Sequence, residues 1–543
     1  MKQLLKRVVF LFVLLSVLFS LFVLYTPKPS MAADQFSAIR ALEHIEVISR
    51  EPHSVFDPVE HEAVRLYLKD KLTDYLGATN VYEYNYSKET LGEDTSYDIK
   101  NLLGVIPGES DTGIMLVGHY DSRGHIGRYG ELGRSYGAAD DGYALGVMLE
   151  IANLYKDKPL KNTIYILFTD AEETGLYGAR MMKTEPVMDH VGFLINIEAR
   201  GISGAAYMFE TSPNNDKVID FYRKANLPVS YSLATAVYQV MPNYTDFTEF
   251  LDEDIQGINF AVLEGLEHYH TPLDNYEELS VSSIQHYGEQ IEPLVGAFTS
   301  DAKYSDVNYF IGSQDQVFFT LFPNLFVAYK ETTAQVFHLL ALLFLGCLVY
   351  LGVRNQQIQF KKMPHYLKMF SIVLVIGIVL GLLFAQFLAF IAKTPYSVTY
   401  VRMSHSNVPT LLFFIGFIYV VYRYYDHKVK EKNQDLAFLL VGISLNLSIA
   451  LLSGYLLSGA SFLFFIPALF GLLSMLSSYY QVKPLKYAVY GLTILVNTLL
   501  IVPILYSFFL ALTVGGLPIL VLLLMINLGV YLPVYQLFRK AVL

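Results

Sequence analysis

Two scarcities frame this chain of 543 residues. The first is cysteine, present only at Cys347 within an apolar run. That excludes an intrachain disulfide and any thiolate-based zinc site. It leaves the redox compartment open. The second is acid at the two ends. Residues 335–543 hold 3 Asp+Glu against 14 Lys+Arg, and the first 33 residues hold four basic side chains and no acid. Residues 34–334 reverse the balance, with 47 acidic and 21 basic residues. An acidic segment is thus flanked by basic, apolar ones. The net charge of −11 argues against nucleic-acid binding, which needs a cationic face. Apolar residues make up 53% of the chain, so membrane segments are expected.

Lys2, Lys6 and Arg7 precede an uncharged apolar run of 18 residues, Val8 to Tyr25, long enough to cross a bilayer. It exceeds the usual signal core, so residues 1–33 read as an anchor and linker. A signal peptide cleaved near Ser30-Met31-Ala32 is the competing reading. Seven further spans are expected near 335–353, 369–392, 408–423, 436–457, 459–479, 487–510 and 517–537. Loops 354–368, 423–435 and 481–486, with Arg539-Lys540, are basic, whereas the opposite loops carry only Lys393 and Arg402. The positive-inside rule then places both termini in the cytoplasm and the acidic segment outside. Residues 306–334 read as a juxtamembrane linker, in which Val317 to Tyr329 is either strands or an interfacial segment.

Residues 34–305 read as a soluble α/β domain. Glu60 to Tyr75 and Tyr143 to Tyr155 have helical periodicity. Gly113 to Val117, Thr163 to Phe168 and Phe193 to Ile197 are short apolar runs of the kind buried on both faces of a sheet. The alternation points to a mixed central sheet between helix layers, with ligands at the carboxyl ends of the strands.

Polar residues collect at those strand ends. His119 and Asp121 follow the first run, Glu172-Glu173 the second, and Glu198 ends the third. Asp140-Asp141 precedes a helix, and His270 lies in Tyr-His-Thr-Pro-Leu-Asp, with Asp274 placed to orient it. Each has a plain alternative: a loop histidine with an Asx turn, a capping carboxylate, a solvated helix start. Together, two imidazoles and three carboxylates are the ligand set of a two-metal site. His268 and His125 lie close in sequence and receive no role.

The segments Gly118-His-Tyr-Asp-Ser, Gly137-Ala-Ala-Asp-Asp-Gly, Asp170-Ala-Glu-Glu-Thr-Gly, Asn196-Ile-Glu-Ala-Arg-Gly and Tyr269-His-Thr-Pro-Leu-Asp resemble, in order, the motifs of the M28 family of zinc metallopeptidases. Glu198 followed by many spans resembles the membrane-embedded branch containing endoplasmic-reticulum metallopeptidase 1 and the fungal vacuolar membrane protease. The resemblance implies a zinc aminopeptidase-like fold and two Zn2+ per chain. His119 and Glu198 would hold one ion and Glu173 and His270 the other, with Asp140 between them. It implies that Asp121 orients His119, that Glu172 is the general base, and that Tyr244 polarises the scissile carbonyl.

The expected activity is that of a membrane-anchored exopeptidase, an aminopeptidase, acting on peptides on the extracytoplasmic side. Two rivals are a one-zinc glutaminyl-cyclase-like acyltransferase and a transporter or receptor with a degenerate ectodomain. Asn446, Asn497 and Asn527 are the polar groups that stand out within the spans, where no ionisable relay is visible. Substrate and oligomeric state are not legible.

Overall fold

The computed structural model describes residues 2–91, 97–124, 134–238, 243–358, 360–399, 401, 403–480 and 482–542. His125 and Arg402 lie outside them. The chain divides into two compact units, Leu24–Ala328 and Met1–Val23 with Tyr329–Leu543.

The first unit is built on seven strands: β1 (Val81–Tyr86), β2 (Ile99–Ile106), β3 (Ser110–His119), β4 (Asn162–Thr169), β5 (Val191–Ala199), β6 (Ser203–Thr211) and β7 (Gly257–Glu264). Their order is β1-β2-β4-β3-β5-β7-β6. The four central strands β4, β3, β5 and β7 are parallel, and the outer pairings are antiparallel. Every residue of β4 and β5 is buried, which explains why residues 164–168 and 193–195 are apolar.

Alternation along β3 separates two cores. Ile114 and Leu116 pack with the layer formed by helices Ala38–Ile48, Pro58–Leu76, Gly142–Tyr155 and Val281–Ser300. Met115 and Val117 face the opposite layer, where Phe247 and Phe250 of helix Asp246–Leu251 close the sheet. The helices and strands expected from periodicity are present, each with slightly wider bounds. Within the stretch read as a linker, Val317 to Tyr329 takes the strand alternative. Residues 306–328 fall within this unit, and β8 (Gln316–Phe322) pairs with β9 (Leu325–Lys330). Asn324, at φ +59° between them, makes the tight reversal.

The second unit is mainly helical among its described residues. Among the described residues, seven stretches are long and apolar enough to cross a membrane. The last, Lys483–Val542, folds as two helices, Lys483–Leu512 and Leu517–Val542, joined by the turn Thr513–Gly516. A Cβ on Gly515 would lie 2.0 Å from the carbonyl oxygen of Ser397, so only glycine lets the chain pass. Helices Lys432–Leu456 and Leu517–Val542 cross closely at Gly442 and Gly529. There Asn446 donates to the carbonyl oxygens of Gly442 and Ile526, both at 2.9 Å. Small residues plus one polar bridge are what holds helices together without a hydrophobic driving force.

Candidate metal centre

Four parallel strands ending at one sheet edge place the polar groups there. His119 is the last residue of β3, Glu198 the penultimate residue of β5, and Glu172-Glu173 follow β4. His270 comes six residues after the end of β7, at φ +57°. Asp140-Asp141, joined by a cis peptide, precede helix Gly142–Tyr155.

These residues form two adjoining groups. His119, Asp141 and Glu198 each bring a ligand atom within 4.8 Å of the others, and so do Asp140, Glu173 and His270. Asp140 spans the groups. Its Oδ1 lies 3.3 Å from Nε2 of His119, and its Oδ2 lies 3.2 Å from Nε2 of His270. Nε2 of His270 is also 3.1 Å from Glu173 Oε1, and Nε2 of His119 is 4.0 Å from Glu198 Oε2. Donors held at ~2.0–2.2 Å by a tetrahedral zinc lie roughly 3.3–3.6 Å apart, so these spacings suit a cation at each group. Four buried atoms facing this space, His119 Nε2, Asp140 Oδ2, Asp141 Oδ1 and Glu173 Oε1, have no hydrogen-bond partner among the described residues. Unpaired buried donors and acceptors are costly unless something completes them.

The alternative readings of individual residues separate here. Asp141 stands at the helix N-cap position, but its side chain makes no capping hydrogen bond. It accepts the backbone N–H of His119 at 3.1 Å and joins the first ligand group, which sequence reasoning missed. Asp121 divides its task. Nδ1 of His119 lies 2.9 Å from the Asp121 carbonyl oxygen and 3.5 Å from its carboxylate. The carboxylate itself accepts the backbone N–H groups of Glu172 at 2.9 Å and Glu173 at 3.2 Å. One residue therefore holds the imidazole by its backbone and the Glu-Glu turn by its side chain. Asp121→Asn replaces one acceptor oxygen by a donor. It is expected to lower kcat by about 10–100-fold with a smaller change in KM. An unchanged kcat in a folded, metal-loaded variant would remove the carboxylate from this role.

Asp274 orients the loop rather than His270. Its carboxylate accepts from Ser135 Oγ, Ala139 N and Asp140 N at 3.0, 2.7 and 3.3 Å. Tyr244 is 65% exposed, whereas Asp246, two residues on, is buried and accepts a hydrogen bond from Thr169. Asp246 was not singled out from sequence, and its only signal there was an acid within an aromatic segment. Arg123 was also missed. It bonds the carbonyl oxygen of Glu173 at 2.6 Å and its carboxylate at 3.1 Å.

Charge is dense. Burial pushes Glu198 up to about 8, with Asp140 and Asp246 adding to the rise. Burial likewise raises Asp246 to about 7 and raises Glu172 and Asp141 well above the carboxylate range. Burial alone would depress the histidines. Asp121 and Asp140 outweigh it at His119, and Glu173 and Asp140 raise His270 to about 9. Such crowding of acids with two imidazoles calls for bound positive charge, which removes the repulsion among the acids.

Residues 101–295 match the family model described as Peptidase family M28. Endoplasmic reticulum metallopeptidase 1 of Mus musculus is 29% identical over 281 residues, covering 49% of this chain and 30% of that protein. The vacuolar membrane protease of Candida dubliniensis is 24% identical over 355 residues, covering 62% of this chain and 36% of that protein. The chain thus spans about a third of the length of these relatives. Among solved structures, a Zn-dependent exopeptidase from Parabacteroides distasonis matches at 18% identity and TM-score 0.38, over 49% of this chain and 99% of that one. A glutaminyl cyclase of Porphyromonas gingivalis matches at 20% identity with the same TM-score and coverage.

Proposed function

Since residues 101–295 form a peptidase family M28 domain, we propose that this chain is a membrane-anchored zinc exopeptidase, an aminopeptidase holding two ions per chain. The observation that carries the reading is Asp140, whose two carboxylate oxygens face one histidine each at 3.3 and 3.2 Å. His119 and Glu198, with Asp141 beside them, hold one ion. His270 and Glu173 hold the other, and Asp140 lies between. Bound zinc would lower the pKa of a water and polarise a carbonyl oxygen.

The protein supplies the rest. Glu172 takes the proton of the attacking water and returns it to the leaving amine. Burial suits it to that task, because it raises the carboxylate's affinity for a proton. Asp121 fixes Glu172 through its backbone N–H, so the base does not wander from the reacting atoms. Arg123 offsets charge on Glu173 and ties down the same turn. Tyr244, being exposed, supports no role at the carbonyl.

The basic loops support an extracytoplasmic catalytic unit with both termini in the cytoplasm. Residues 335–543 then serve as the anchor in the bilayer, and the substrate is a peptide. The test is the full chain purified in detergent, with metal content measured by mass spectrometry and a peptide library digested by it. Two zinc ions per chain and stepwise loss of amino-terminal residues are expected. One ion per chain with cyclised amino-terminal glutamine, or no cleavage by the fully loaded protein, would overturn the reading.

A further inference from the structure

The membrane unit carries a feature the peptidase reading leaves unused. A lateral groove of about 710 Å³ runs between helices Met363–Ile391 and Asn407–Lys428. Ile372, Ile376 and Phe387 line one wall, Leu412 and Val420 the other. Phe384 and Phe413 stack across it, with ring centroids 4.8 Å apart and planes 8° from parallel. The groove is open along its side: Ile376 is 53% exposed, and Leu412 and Val420 are each 63% exposed. From Ile372 to Phe387 it extends roughly 22 Å at 1.5 Å per residue, most of a ~30 Å hydrocarbon layer.

Its chemistry changes at one end. Lys368 lies one turn before Ile372, on the same stripe of its helix. His427 and Lys428 lie three and four residues beyond Tyr424, which closes the apolar stripe of the other helix. All three are exposed. Lys361, Lys362 and Arg423 add to the same end. The three nearby acids are engaged: Asp426 accepts from Gln536 at 3.0 Å and pairs with Arg539 at 3.5 Å, Glu431 caps the following helix, and Asp435 pairs with Lys540 at 2.6 Å. Tyr424, between apolar wall and basic collar, occupies the position aromatic residues favour at a membrane interface.

We propose that this groove holds an anionic phospholipid, with acyl chain along the apolar walls and phosphate between Lys368 and Lys428. Charge selects the headgroup, since basic pockets between membrane helices on the cytoplasmic side attract anionic lipids. The groove is long, narrow between two helices and lined by apolar side chains, a path that an extended acyl chain can follow.

Gly416 provides the decisive variant. It lines the groove, and a Cβ there meets no atom within 4 Å, so Gly416→Leu enters the groove without a backbone clash. The full chain in detergent is equilibrated with equal amounts of phosphatidylglycerol and phosphatidylcholine, and bound lipid is counted by native mass spectrometry. The wild type is expected to retain phosphatidylglycerol on the order of 10-fold over phosphatidylcholine. Gly416→Leu loses retention of both. Lys368→Gln with Lys428→Gln keeps lipid but loses the preference, and these exposed positions decide the matter should Gly416→Leu fail to fold. Equal retention of the two lipids by the wild type, or wild-type preference in the lysine variant, would overturn the proposal. So would a lipid-free dimer that Gly416→Leu dissociates.

Discussion

Glu172→Gln is expected to reduce kcat by roughly 10²–10⁴-fold or more while leaving two metal ions bound and the fold intact. The substitution keeps shape and the backbone hydrogen bond to Asp121, but an amide cannot accept and return a proton. Glu172 is adjacent in sequence to Glu173, yet only Glu173 belongs to a ligand group. The two variants should therefore part company: Glu173→Gln loses metal, and Glu172→Gln loses rate at full metal occupancy. Metal analysis beside single-turnover peptide hydrolysis reads both. Full activity in Glu172→Gln would assign the proton transfer to another group.

Stripping metal from the full chain is expected to destabilise the catalytic unit strongly. An ion present at 1,000 times its Kd contributes ~4 kcal/mol to the folded state. For a unit of this size that shifts the unfolding midpoint by on the order of 10 °C. The chelated protein should also acquire a pH dependence that the loaded protein lacks. Glu198 is raised to about 8 and Asp246 to about 7, so without metal the folded state binds more protons than the unfolded state. Stability then falls as pH rises from about 5 to 8. His270, raised to about 9, shifts stability in the same direction above its unfolded value, because its folded charge is lost as pH climbs. Calorimetry with and without chelator across this window is the measurement. An identical midpoint in both states, at every pH, would exclude a structural contribution from bound metal. Asp140→Asn should abolish the difference by weakening both ion sites at once.

The strands of the centre were legible because burial on both faces keeps the middles of β4 and β5 mostly apolar, and the acids at or just after their carboxyl ends stand out against that background. His119, Glu173, Glu198, Asp140 and His270 were singled out by type and place along the chain, and the fold brings them together. Asp141 was not, because a carboxylate at the start of a helix has a commoner use in capping. Only the packing of β3 beside that helix turns it toward His119. Asp246 and Arg123 are single charges in short segments, and apart from the aromatic neighbours of Asp246 nothing local distinguishes them from surface charges. Tyr244 shows the converse: a residue placed by motif alone points to solvent while Asp246, two positions on, is buried.

The membrane unit divides in the same way. Length and apolarity alone located the helices, since crossing a bilayer demands both. The turn at Thr513–Gly516 and the crossing at Gly442 and Gly529 depend on which backbones approach, and no run of apolar residues encodes that. What the sequence by itself determined here is local and additive: strand against helix by periodicity, membrane against water by composition, donor chemistry by residue type. The tertiary structure decided what depends on convergence. It set which carboxylate faces which imidazole, and which oxygen of Asp140 meets which histidine. It also opened a groove between two helices that share no motif. Distances of 3–4 Å between residues more than a hundred positions apart are a property of packing, and packing is a sum over the whole chain.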